Sequence, residues 1–413
     1  MTRKLVLTLL ALALLLAAGA TAALAATARS SADPGVTPTS VLVGGTAPLT
    51  GPQTAYASIS RGAKAYFDYV NSKGGVNGRR IDYVARDDAS DPVRTVAETR
   101  RLVEQDGVFA VFNSFGTDQN LAVRDYLNQR KVPQLFAASG ASTLGSETAR
   151  FPYTIGLRPT YTAEGWVLGQ YLARTQGAAK VGVLYENDGF GQELLAGLRR
   201  GVLRSHVKIV SVQPYDVDSF DVDAQVARLR VSGATVFAVF ASPKHAAEAL
   251  KYAGRLGWKP KLTVGNAAAS SAPVLAAAAE KGANQLVKGM VSVAYVKDPT
   301  DPRWSKDAAM KLFHKIVARF APGSDVSDVY LVYGMAAAWT AVEAIRRAGT
   351  DLTRQRLVDV VGSLNLKGNP FLLPGIALRT GPNDHFPIDQ MLLQRWQKGA
   401  WRSFGGLWTY RGG

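Results

Sequence analysis

The 413-residue chain is 47% hydrophobic and 19% charged, which excludes a disordered or collagen-like protein and leaves room for two or three domains at ~100–200 residues each. It has no cysteine, so disulfide frameworks, thiolate metal sites and cysteine nucleophiles are excluded together. The formal charge of +16 comes from scattered doublets such as Arg79-Arg80 and Arg199-Arg200, a pattern of solvated helix faces and not of nucleic-acid binding.

In chain order, residues 1–25 read first as an export signal. Arg3 and Lys4 precede an apolar run over 5–18, and Ala23-Leu24-Ala25 fits a small-residue cleavage site. The run falls short of the ~20 apolar residues of a membrane span, and an uncleaved anchor is the competing reading. The expectation is an exported protein, in the periplasm or at the extracellular face of the cell membrane, with residues 26–39 as a flexible leader. Beyond it, short β-rich runs alternate with amphipathic stretches. Strands are expected over 41–43, 81–84, 108–112 and 135–138, with helices around 59–70, after Asp91-Pro92 and over 121–127. The pattern restarts with a helix over 164–174. Strands over 181–185, 207–212, 236–240 and 262–264 follow, separated by helices over 192–203, 222–229, 246–256 and 274–283. Strands joined by single helices imply right-handed crossovers and parallel sheets. The fold class is therefore α/β, with two doubly wound parallel-sheet lobes. The last third adds a strand over 290–295, helices over 304–320, 329–348 and 353–363, and a hairpin turning at Lys398-Gly399.

Four motifs stand in a telling order: Ala47-Pro48-Leu49-Thr50-Gly51, then residues 70–78 (Val-Asn-Ser-Lys-Gly-Gly-Val-Asn-Gly), then Asp87-Asp88-Ala89-Ser90-Asp91-Pro92, then Asn187-Asp188-Gly189-Phe190-Gly191. With them the chain resembles, from about residue 40 to 410, the branched-chain amino-acid (Leu/Ile/Val) type of solute-binding protein of ABC transporters. The resemblance implies the type I periplasmic binding protein fold, with a three-crossover hinge and a ligand captured by lobe closure. Its expected division is lobe 1 over 40–157, lobe 2 over 158–288, a return to lobe 1 over 289–365, and a return to lobe 2 with the hairpin over 366–413.

In open parallel sheets the ligand lies beyond the carboxyl ends of the strands, which points to the loops at Thr50-Gly51, Gly116-Thr117, Ser139-Gly140, Ser242-Pro243 and Gly265-Asn266. The resemblance implies that Gly116, Thr117, Ala138, Ser139 and Gly140 hold a ligand carboxylate; ordinary helix capping is the competing role. Tyr56 matches an aromatic covering the ligand from the first lobe and Phe190 one reaching across from the second, with core packing as the alternative for each. Tyr295, after a strand at a crossover, is a further candidate. Two positions depart from the leucine-type pattern: Asn266 stands where an acidic residue meets the ligand ammonium, and Ser242 stands before Pro243 where a tyrosine is usual. An amide cannot neutralise a buried ammonium, so an aromatic or aliphatic carboxylate is expected to bind at least as well as leucine. Glu164 and Asp188, near the cleft edges, either pair with a ligand amine or cap helices. The disulfide of the resembled family is missing, with Ser90 at one of its positions.

Enzyme signatures are absent: no phosphate loop, no Gly-x-Gly-x-x-Gly after the first strand, no His-Glu-x-x-His and no Gly-x-Ser-x-Gly. Ser205 and Lys208 meet a Ser-x-x-Lys spacing without its Lys-Thr-Gly partner. The four histidines, His206, His245, His314 and His385, show no metal-ligand spacing. The expectation is a receptor without enzymatic activity, cofactor or metal. Its partners are a small ligand, amino acid or carboxylate, and the membrane permease of an ABC importer. A sensor module of the same fold, acting with a membrane signalling partner, is the alternative.

Overall fold

The computed structural model describes residues 33–410 and 412; the expected export signal lies outside the described residues. The first lobe opens with β1 (Ser40–Ala47), α1 (Ala57–Asn71), β2 (Arg80–Asp87), α2 (Pro92–Glu104), β3 (Ala110–Phe112), α3 (Thr117–Gln129), β4 (Gln134–Ala137), α4 (Thr143–Ser146) and β5 (Thr154–Gly156). Its sheet is parallel throughout, in the order β2-β1-β3-β4-β5. Local chemistry sets the boundaries. Asp91 starts α2 by accepting the amide hydrogens of Val93 at 2.7 Å and Arg94 at 3.4 Å, and Pro92 needs no partner in the first turn.

The second lobe runs through α5 (Tyr161–Thr175), β6 (Lys180–Glu186), α6 (Gly189–Val202), β7 (Lys208–Tyr215), α7 (Asp223–Val231), β8 (Val236–Phe240), α8 (Pro243–Arg255), β9 (Leu262–Gly265), α9 (Ala272–Ala278), α10 (Asn284–Val287) and β10 (Val291–Ala294). The chain then contributes α11 (Ala308–Phe320), α12 (Val329–Ala348), α13 (Arg354–Val361), and the small antiparallel pair β11 (Asn365–Lys367) and β12 (Ala377–Arg379). It ends in the hairpin β13 (Gln390–Gln397) and β14 (Ala400–Thr409). Among the described residues the second sheet has seven strands in the order β14-β13-β10-β9-β8-β6-β7, with β13 alone running against the others.

This sheet order moves two expected boundaries. β10, assigned by the sequence pattern to the return to lobe 1, stands in the second sheet, parallel to β9 with Val291 opposite Val264. Residues 366–388, expected in lobe 2, bury Leu366, Phe371, Leu373 and Ile388 in the first-lobe core. The crossovers therefore lie at 157–160, at 295–297 and near 389. Apolar faces explain the assignment: α1 and α12 cover one face of the first sheet, while separate clusters fill the two faces of the second.

Candidate functional site

The carboxyl ends of both sheets face one cavity of about 530 Å³, walled by both lobes and floored by the first crossover. From lobe 1, Tyr56 ends a short 3-10 turn ahead of α1 and stacks on Phe115 at 4.2 Å between ring centroids, tilted by 25°. Gly116 caps α3 at φ 100°, and a β-carbon there would meet the Gln119 side chain at 2.0 Å. Only glycine serves at this wall position. Thr117 follows, with its hydroxyl 2.9 Å from that of Ser139.

From lobe 2, Glu186 at the end of β6 is held by the Tyr215 hydroxyl at 2.6 Å and the Ser242 amide at 3.3 Å, both on one carboxylate oxygen. The other oxygen accepts from Gln53 of lobe 1 at 3.4 Å. Ser242 is further tied to His245, 3.2 Å away, and His245 to the Ser219 carbonyl at 3.1 Å. Burial lowers the His245 pKa, which favours the neutral ring in this chain of bonds. Asp188 starts α6, accepting from the Gly191 amide at 2.9 Å, and also lines the cavity. Burial pushes its carboxyl up to about 7, and the charge of Glu186 adds to the effect.

The floor carries Arg158, which is 6% exposed and borders both this cavity and a second of about 40 Å³ behind it. Burial acts to lower its pKa, but the surrounding Tyr295, Tyr161, Tyr333 and Glu164 hold it above the ordinary arginine value. The rings of Tyr161 and Tyr333 lie 5.6 and 5.8 Å from the guanidinium carbon. Its Nε has no hydrogen-bond partner among the described residues. Glu164, in the first turn of α5, accepts from the amide of Ala267; burial raises its carboxyl against the pull of Arg158.

Of the residues singled out from sequence, Tyr56, Gly116, Thr117, Phe190 and Ser242 line the main cavity, and Tyr295 lines the smaller one. Ala138, Ser139, Gly140 and Asn266 stand behind the wall. Gly140 is pressed against the crossover, where a β-carbon would meet Pro159 O at 2.6 Å. Ser139 braces Thr117 and its own turn. Asn266 is fully buried and accepts from the Ala241 amide at 3.0 Å, closing the gap between β8 and β9. Sequence reasoning missed Arg158 and Glu186. Glu186 lies one residue before the Asn187-Asp188 motif, a signal within reach; Arg158 is a lone arginine ahead of a proline and carries none.

The lobes touch across the cleft. Besides Gln53 and Glu186, the amide and hydroxyl of Ser142 donate to Glu193 on α6 at 2.9 and 2.7 Å. The Tyr330 hydroxyl donates to Ala268 O at 3.1 Å.

A family model described as periplasmic binding protein matches residues 40–400. A Leu/Ile/Val-binding protein homolog 1 of Brucella suis is 25% identical over 368 residues, covering 87% of this chain and 91% of that protein. A branched chain amino acid ABC transporter structure from Thermus thermophilus with bound valine superposes with a TM-score of 0.78 at 20% identity, covering 90% of this chain and 97% of that one. An ABC transporter solute binding protein of R. palustris in complex with benzoate superposes at 0.73 and 18% identity, covering 89% and 96%.

Proposed function

Because the chain belongs to the periplasmic binding protein family, we propose that it is an exported receptor that captures an amino acid in its cleft and delivers it to an ABC permease. The observation that carries the ligand class is the pairing of opposite charges around one cavity: Arg158 at the floor, Glu186 and Asp188 at the second lobe. A carboxylate finds in Arg158 a desolvated cation with a spare donor, and an ammonium finds two carboxylates. The acid missing at Asn266 is thus replaced from the end of β6. Tyr56 and Phe190 offer apolar surface to the rest of the ligand.

An amine-free carboxylate is the second reading, supported by Arg158 alone. A thermal-shift screen separates the two. A ligand at a hundred times its Kd stabilises the native state by about 2.7 kcal/mol, or about 5–11 °C for a domain of ~150–250 residues. Amino acids are expected to give such shifts and their deaminated analogues not. Equal shifts from both sets would transfer the assignment to carboxylates.

A further inference from the structure

The second lobe is electrically lopsided. The amino ends of its strands, at the pole opposite the cleft, carry a row of lysines in register. Lys180 opens β6 opposite Lys208 of β7. Thr235, ahead of β8, donates its amide to Lys180 O at 2.8 Å, and Lys261 donates to Thr235 O at 2.8 Å. Val291 opposite Val264 sets Lys288 beside Lys261, and Arg395 opposite Val291 sets Lys398 of the hairpin turn beside Lys288. At strand spacing the row from Lys208 to Lys288 spans about 19 Å. All five lysines are exposed, and none forms an ion pair among the described residues.

Carboxylates are scarce in the segments that build this pole. Segments 194–215, 224–247, 249–279, 281–297 and 390–413 contain no aspartate or glutamate, whereas Glu186 ends β6 and Asp188, Asp216 and Asp218 follow the carboxyl ends of β6 and β7 at the cleft. Cations in last helical turns are common because they oppose the helix dipole; lysines at strand starts have no such local reason. The same pole exposes two large apolar side chains in the turns leading into β7 and β8: Leu203 at 77% and Val231 at 81%, beside Arg204 and Arg230.

We propose that this pole is a docking surface for an anionic phospholipid bilayer, with the lysine row against the headgroups and Leu203 and Val231 entering the interface. A flat row of cations collects the attraction of many lipid charges, and protruding apolar side chains gain only where a hydrocarbon boundary is present. A soluble polyanion would use the cations and ignore the two apolar residues. The pole lies about 23 Å from the cleft along β6, so lipid contact leaves the ligand site open. The inference stands independently of the ligand class.

Co-sedimentation of the mature protein with vesicles tests it. Phosphatidylcholine–phosphatidylglycerol vesicles are expected to pellet the protein at low salt, pure phosphatidylcholine vesicles not, and added salt to release it. Lys180→Gln, Lys208→Gln and Lys261→Gln together should lower the affinity about a hundredfold, while the same three positions changed to arginine retain it. Leu203→Ser with Val231→Ser should weaken vesicle binding and leave binding to soluble polyphosphate unchanged. Equal pelleting with neutral vesicles, or a triple glutamine variant that binds as wild type, would overturn the proposal. So would an apolar pair whose loss changes nothing, which would assign the pole to a soluble polyanion.

Discussion

Glu186 and Asp188 stand two residues apart yet do different work. Glu186 is fixed by Tyr215 and Ser242, so its charge is held in place before any ligand arrives. Glu186→Gln keeps the shape and loses the charge; amino-acid affinity should fall about 10- to 100-fold, the worth of a hydrogen bond to a charged group, as read by titration calorimetry. Asp188 is the pH-sensitive member. Its native carboxyl keeps a proton to about pH 7, whereas the unfolded one loses it near the ordinary value of 3.8. The native state therefore binds more protons between these limits, and this residue makes stability fall as pH rises through that window. Asp188→Asn preserves the cap of α6 and removes the penalty. The variant should melt higher than wild type at pH 8 and alike at pH 3, while losing the rise in amino-acid affinity that wild type shows as pH passes 7. A variant equal to wild type at every pH would show that the carboxyl is not perturbed.

Elements position these residues, and the contact between α5 and α6 matters most because one starts at the crossover and the other carries Asp188 and Phe190. A β-carbon at Gly197 would lie 2.2 Å from Thr162 O, and one at Gly165 would lie 2.1 Å from Leu194 O. On an isolated helix Gly197→Ala would gain up to ~1 kcal/mol; here the clash is with backbone, and the variant should lose about 1–3 kcal/mol, measured as a lower denaturant midpoint. The elements themselves were largely legible. β8 was read at its observed bounds, and Asp91-Pro92 announced α2, because apolar runs and capping residues act locally. β5, β11 and β12 were not read: each is three residues long and, unlike β3 with its apolar run over 108–112, stands in no continuous apolar run, so it exists through its partners. The same limit applied to the site. Tyr56, Thr117 and Phe190 sit in recognisable motifs, but Arg158 matters only through Tyr161, Tyr295 and Tyr333, which lie far from one another in sequence. The placing of β10 in the second sheet also depends on pairing with β13, a hundred residues later, which no local pattern reports.

At the scale of the molecule, three crossovers join two lobes whose apolar residues fall mostly into separate clusters. Hinge motion, with rotation at 157–160, 295–297 and near 389, is the movement such a design allows. The bonds from Gln53 to Glu186, Ser142 to Glu193 and Tyr330 to Ala268 tie one lobe to the other across the cleft. A ligand binding both walls adds to them and shifts the population toward closure. Capture by closure is the central claim, and small-angle scattering tests it most directly. The radius of gyration of the protein should fall when an amino acid that raises its melting temperature is added to saturation, and Glu186→Gln should need more ligand for the same change. A radius that stays constant at saturating ligand would contradict the account.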